Sequence, residues 1–142
     1  LMGSSNMFNP AEMMKNMQTE YKYLLVLVML LFGFQSPSKA FNPCDDNTFE
    51  GSIRCLTLAK EGKVFAQSSM ARKYISGLGE IKLNIDFGYL WGYIVLLNNP
   101  NDLAMRMLLE GIEKDYMNSK QISKMRTLAR KCLQTEFKSC PM

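Results

Sequence analysis

Four cysteines, Cys44, Cys55, Cys132 and Cys140, are the residues of this chain best suited to covalent or metal chemistry, and no histidine accompanies them. Without an imidazole there is no Ser-His-Asp or Cys-His nucleophile and no ordinary general base poised near neutral pH. Zinc is a poor match, because structural zinc sites use short Cys-x-x-Cys pairs, whereas ten and seven residues separate these cysteines. Carboxylates are present at Glu61, Glu80, Glu110, Glu113 and Asp115. Glu110 and Glu113 stand one turn apart on a helix, the usual spacing of a solvated face. Gly77-Leu78-Gly79 is too short for a phosphate loop and reads as a helix stop. These residues imply no enzyme, no metal and no cofactor.

An even cysteine count in a small exported chain implies two disulfides. Three pairings are possible. Local pairing, Cys44 with Cys55 and Cys132 with Cys140, fails if each segment is helical, because the helical rise separates the partners by about 16 and 12 Å. Bridged Cα atoms lie within about 7 Å. The nested pairing Cys55–Cys132 with Cys44–Cys140 suits antiparallel helices and closes the whole domain. The crossed pairing, Cys44–Cys132 with Cys55–Cys140, is its competitor.

Export is written at the start of the chain. Tyr23 to Phe34 is an unbroken apolar run with Lys22 before it and Ser38-Lys39-Ala40 after it. A positive flank, a short apolar core and a small-x-small exit make a secretory signal peptide. The core is well short of the roughly 20 residues that span a bilayer. Residues 17–40 are therefore the expected leader, with cleavage after Ala40, and residues 1–16 read as untranslated or non-native upstream sequence. The mature product is expected to be a single secreted, extracellular domain, 41–142, with no stable membrane insertion. Losing Lys15, Lys22, Lys39, Glu12 and Glu20 from 17 basic and 13 acidic residues leaves 14 against 11. So mild an excess does not call for nucleic acid.

Helices must position whatever the domain does. Asp45-Asp46-Asn47-Thr48 supplies N-cap candidates, and Phe49, Ile53, Leu56 and Ala59 recur at helical spacing. This predicts a helix over 47–76, weakened at Gly62. The alternation of Ile81, Leu83, Ile85, Phe87 and Tyr89 resembles a strand. No second alternating run appears in the mature chain to pair with it, so a buried central helix starting near Asn84 or Asp86 is expected. Pro100 suits the first position of a third helix, with the stripe Met105, Leu108, Leu109, Ile112 and Tyr116. A fourth runs from Lys120 to about Lys138, with Ile122, Met125, Ala129, Cys132 and Leu133 on one face. The fold class is all-α, a disulfide-stapled bundle of about four helices.

Two surfaces are candidates for binding. Lys120, Lys124, Arg126, Arg130, Lys131 and Lys138 meet only Glu136 in the last helical segment. The lysines at 120, 124 and 131 share one side of that helix, and Arg126 and Arg130 share another. A basic amphipathic helix of this kind suits an extracellular protein or a sulfated glycan. Phe87, Tyr89, Trp91 and Tyr93 form the second candidate, a pocket for a small apolar ligand. Gly88, Gly92 and Gly111 suggest close helix packing instead.

With its cysteines at 44, 55, 132 and 140 and the helical pattern between them, the mature chain resembles the anophensin and albicin type of mosquito salivary protein. The resemblance rests on length, basic charge, helical pattern and cysteine count. It implies a helical secreted protein that binds and blocks components of host contact-protease or complement cascades. It carries over no binding residue. Insect odorant-binding proteins are a second comparison, but their Cys-x3-Cys step is missing here.

Overall fold

The computed structural model describes residues 20–28, 30–31 and 41–141. The chain divides into two compact units, Leu1–Phe41 and Asn42–Met142. In the first unit, residues 20–28 and 30–31 are helical. Among the described residues, no helix is long and apolar enough to cross a membrane. The expected cleavage point after Ala40 and the upstream segment 1–16 lie outside the described residues.

The second unit holds a 3-10 turn, Pro43–Asp45, and five α-helices: α1 Phe49–Lys60, α2 Val64–Ser76, α3 Ile85–Asn98, α4 Leu103–Asp115 and α5 Ser119–Gln134. All-α is therefore the fold class, with one more helix than expected. The predicted long helix over 47–76 is two helices. Gly62 adopts φ +84°, a conformation that costs a residue with a Cβ, and it turns the chain between α1 and α2. The ring of Phe137 lies over this link, 3.3 Å from where a Gly62 Cβ would stand.

Caps set the other boundaries. Thr48 accepts the Gly51 N–H to open α1, and Gly77, at φ +68°, closes α2. Asn84 accepts from the Phe87 N–H at 3.1 Å and opens α3, so the alternating stretch is a loop followed by a helix. Pro100 is not the first helical residue. Asp102 caps α4 through the Met105 N–H, and Pro100 sits in the preceding turn.

Helix α3 is the centre of the bundle and packs against α2, α4 and α5. Tyr89, Leu90, Trp91, Ile94 and Val95 are fully buried along it. Gly88 lets α2 approach, and Gly92 does the same for α4; Gly111, by contrast, has nothing within 4 Å of a Cβ position. Phe49 and Ile53 face solvent while Ser52, Cys55, Leu56 and Ala59 are buried, so the inner face of α1 is rotated from the expected stripe. On α4, Met105, Leu109 and Ile112 are buried, but Tyr116 is exposed.

The disulfides correct the sequence expectation. The pairing is local, Cys44–Cys55 and Cys132–Cys140, each with Cα atoms 4.8 Å apart. The argument for nested pairing assumed that each partner pair shares a helix. Cys44 instead lies in the 3-10 turn before α1, and Cys140 lies beyond the turns that follow α5. The chain folds back in both places. Loops of this size contribute roughly 2.5–3 kcal/mol each in the chain-entropy account, less than a bridge closing the whole domain.

One buried cation joins these pieces. Lys73 of α2 donates from Nζ to the Asp46 carbonyl at 3.0 Å and to Ser52 Oγ at 3.3 Å. Ser52 Oγ in turn donates to the Gly79 carbonyl at 2.7 Å. The ammonium is thus solvated by protein oxygens, which a buried charge requires. It ties the disulfide-bearing turn to α1 and to the loop before α3.

Candidate functional site

Helix α5 is positioned by its own sequence before packing begins. Asn118 and Gln121 form a reciprocal capping box, at 2.9 and 3.0 Å, that satisfies two amides of the first turn. Met125, Ala129 and Cys132 are buried on its inner face. From Ser119 to Gln134 the helix contains five basic residues and no acid. At 100° per residue its solvent arc reads Ser119, Arg126 and Arg130 on one flank, Ser123, Thr127 and Gln134 along the crest, and Lys120, Lys124 and Lys131 on the other flank.

The two flanks have different fates. Arg126 donates from Nη2 to Glu113 Oε1 at 2.6 Å and from Nε to the Tyr89 hydroxyl at 2.8 Å. Tyr89 donates its own proton to the same Glu113 oxygen at 2.5 Å. Arg130 donates to the Tyr93 hydroxyl at 2.8 Å. Both guanidinium groups also stand over the Tyr93 ring, at 5.3 and 5.5 Å from its centroid. The arginines thus clamp α5 to α3, and Arg126 reaches α4 as well.

Lys120, Lys124 and Lys131 are exposed. Among the described residues, the ion pairs are Arg54–Glu50 and Arg126–Glu113, so none of these three lysines has an acidic partner. With Ser123, Thr127 and Leu128 they line a shallow depression of about 530 Å³. A second depression, about 480 Å³, is lined by Ser119, Ile122, Ser123, Arg126, Thr127 and Arg130 of α5 and by Glu113 of α4. Ser123 and Thr127 belong to both, so their hydroxyls run between the two cationic flanks.

The aromatic candidates are occupied by packing. Tyr89 and Trp91 are fully buried. Phe87 meets Tyr74 edge-on at 5.6 Å, and Tyr89 stacks on Tyr93 at 6.1 Å. The structure brings three of the four onto α2 and α5 rather than around an opening. Sequence reasoning missed the Tyr89–Glu113–Arg126 triad. Its members come from three helices, and the only sequence signal was an arginine on the flank of α5 that turns toward the core.

The triad has a measurable signature. Burial first, then the Glu113 hydrogen bond, pushes the Tyr89 phenol up from 10.0 to about 12. Burial opposes ionisation of Glu113, yet the hydrogen bonds from Tyr89 and Arg126 outweigh it and hold its carboxyl below the usual 4.5. A phenol with a raised folded pKa contributes stability that is complete below pH 10 and is lost as pH rises through about 12. A carboxyl with a depressed folded pKa contributes above 4.5 and loses that contribution as pH falls through its folded value. We therefore expect an ultraviolet titration to show a tyrosinate step near pH 12 that Tyr89→Phe removes. A Tyr89 that ionises near pH 10.0 would contradict the triad.

No protein-family model, no curated protein and no solved structure matches this chain.

Proposed function

We propose that this is a secreted, non-catalytic binding protein that engages an anionic extracellular partner through the outer face of α5. The observation that carries the reading is the division of labour on that helix. Arg126 is paired with Glu113 and Arg130 is held by the Tyr93 hydroxyl, while Lys120, Lys124 and Lys131 project with neither an acidic partner nor a side-chain hydrogen bond among the described residues. An exposed row of like charges is mildly unfavourable to the fold, since like-charged neighbours one turn apart repel. A partner of opposite charge removes that penalty. Two disulfides belong to an oxidising compartment, which agrees with the leader read from the sequence. A blocking role on an extracellular cascade, implied by the resemblance to salivary proteins, needs no catalytic group and fits this mode.

The test compares two triple variants of the oxidised chain from a secreting host. One is Lys120→Ser, Lys124→Ser, Lys131→Ser. The other, Lys63→Ser, Arg72→Ser, Lys82→Ser, removes the same charge from exposed positions elsewhere. Each is titrated at physiological salt against heparin, polyglutamate and phosphatidylserine vesicles. Binding of the parent to at least one of these, lost only in the α5 variant, is the expected result. Equal loss in both variants, or no binding at all, would overturn the assignment of this face. Both variants should melt with the parent, because surface charges of this kind contribute roughly 0–1 kcal/mol.

A further inference from the structure

We infer that the α5 face is built for a linear sulfated glycan, a conclusion that rests on the binding role proposed above and specifies its partner. Three features of the face select this chemistry.

The first is the kind of cation presented. Protein interfaces concentrate arginine and aromatic residues at their energetic centres and are depleted in lysine. Here Arg126 and Arg130 are turned onto Glu113, Tyr89 and Tyr93. Carboxylates on a protein partner are best gripped by the bidentate fork of arginine, and here Arg126 is committed to Glu113 and Tyr89 while Arg130, though exposed, already donates to Tyr93, so lysines make up most of the cations that project freely. Lysine is a compact point charge that tolerates many orientations of an oxyanion, so it suits a flexible polyanionic chain.

The second feature is the crest between the flanks. Ser123 and Thr127 stand one turn apart and border both depressions. A sulfate ester is an acceptor only, with several oxygens to satisfy. Hydroxyl donors beside ammonium groups meet that need; the one carboxylate bordering the two depressions, Glu113 of α4, lies on the arginine side and is neutralised by Arg126, so the lysine side is free of acid among the described residues. Lys120 and Lys131 are about 16 Å apart along the helix axis. That is a track for a run of charges rather than a socket for one ion.

The third feature is what the face lacks for other polyanions. Insertion at a lipid surface requires the apolar side of the helix, but Met125, Ala129 and Cys132 are buried in the domain core. Single-stranded nucleic acid is bound by exposed aromatic platforms, and no aromatic residue lies on α5.

The experiment uses the parent chain and the two triple variants with four probes: a heparin oligosaccharide, the same oligosaccharide after desulfation, polyglutamate, and a DNA oligonucleotide. Heparin should bind the parent, weaken with salt, and bind the Lys120/Lys124/Lys131 variant about tenfold more weakly, as three exposed charges warrant. The control variant should bind within about twofold of the parent, and the desulfated oligosaccharide should not bind. Binding of polyglutamate but not heparin, lost with the same lysines, would overturn the glycan assignment while leaving the binding role intact. Equal affinity for DNA or for desulfated heparin would also overturn it, because sulfate would then not be what is read. No binding to any probe would remove both.

Discussion

Trp91→Ala is expected to lower the free energy of unfolding by about 4 kcal/mol, the upper range for emptying a large buried site. Trp91 is fully buried in the middle of α3, the helix that every other long element except α1 packs against. Domains of this size are stable by only about 5–15 kcal/mol, so the variant should be largely unfolded at modest urea concentrations. The conservative change separates volume from polarity. Trp91 Nε1 is buried and has no hydrogen-bond partner among the described residues. Trp91→Phe loses some packing but also sheds that unpaired donor, whose burial costs about 1–3 kcal/mol. Its net effect should stay within about 1.5 kcal/mol of the parent. Urea unfolding followed by far-ultraviolet dichroism measures both. A cost below about 1 kcal/mol for Trp91→Ala would mean that the indole is not core, and would return weight to a ligand cavity at that position.

The glycines of α3 and α4 provide the second large effect, with an internal contrast. A Cβ at Gly88 would stand 2.5 Å from Ile75 Cγ1 and 3.0 Å from the Ala71 carbonyl. Neither neighbour is the free end of a side chain, and one is backbone, so α2 and α3 would have to separate. Gly88→Ala should cost about 2 kcal/mol despite alanine's better helix propensity. At Gly92 the close atoms are Leu109 Cδ2 at 2.8 Å and Met105 Sδ at 2.9 Å. These are the ends of flexible side chains and can give way, so the cost there should nearly cancel against propensity. At Gly111 nothing stands within 4 Å, and alanine should stabilise by about 0.5–1 kcal/mol. Thermal melts of the three variants should therefore rank Gly88→Ala below Gly92→Ala, with Gly111→Ala above the parent. A Gly88→Ala protein as stable as the parent would refute the close approach of α2 and α3.

Periodicity carried most of the helical reading, because burial and helix geometry share one period. The start of α3 was readable despite a strand-like alternation, since a lone strand leaves its backbone groups unpaired and Asn84 offers a cap. The split at Gly62 was only half readable. A glycine signals weakness in a helix, but whether the chain turns there depends on Phe137, 75 residues away, closing over the link. The local disulfides were misread for a related reason. Their geometry depends on where each helix ends, and the residues flanking Cys44 and Cys140 fold back through turns that leave little trace in hydrophobic pattern. On α5 the sequence placed lysines and arginines on separate flanks. It did not distinguish their roles, because the groups that hold Arg126 and Arg130 sit on α3 and α4 and meet them only in the folded chain.

The local pairing of the cysteines bears on how the molecule is made. Each bridge joins residues no more than 11 positions apart. A loop of about 10 residues brings its ends together in roughly 10–100 ns, so the two thiols of each pair meet often in the unfolded chain, while the bond itself takes seconds or longer and needs an oxidant. During vectorial synthesis the first bridge needs nothing beyond Cys55, so it can form while most of the domain is still being translated. The second needs only the segment from Cys132 to Cys140. Wrong partners lie far along the sequence and emerge later. Correct pairing is thus favoured by the order in which the cysteines appear and by the short span between partners.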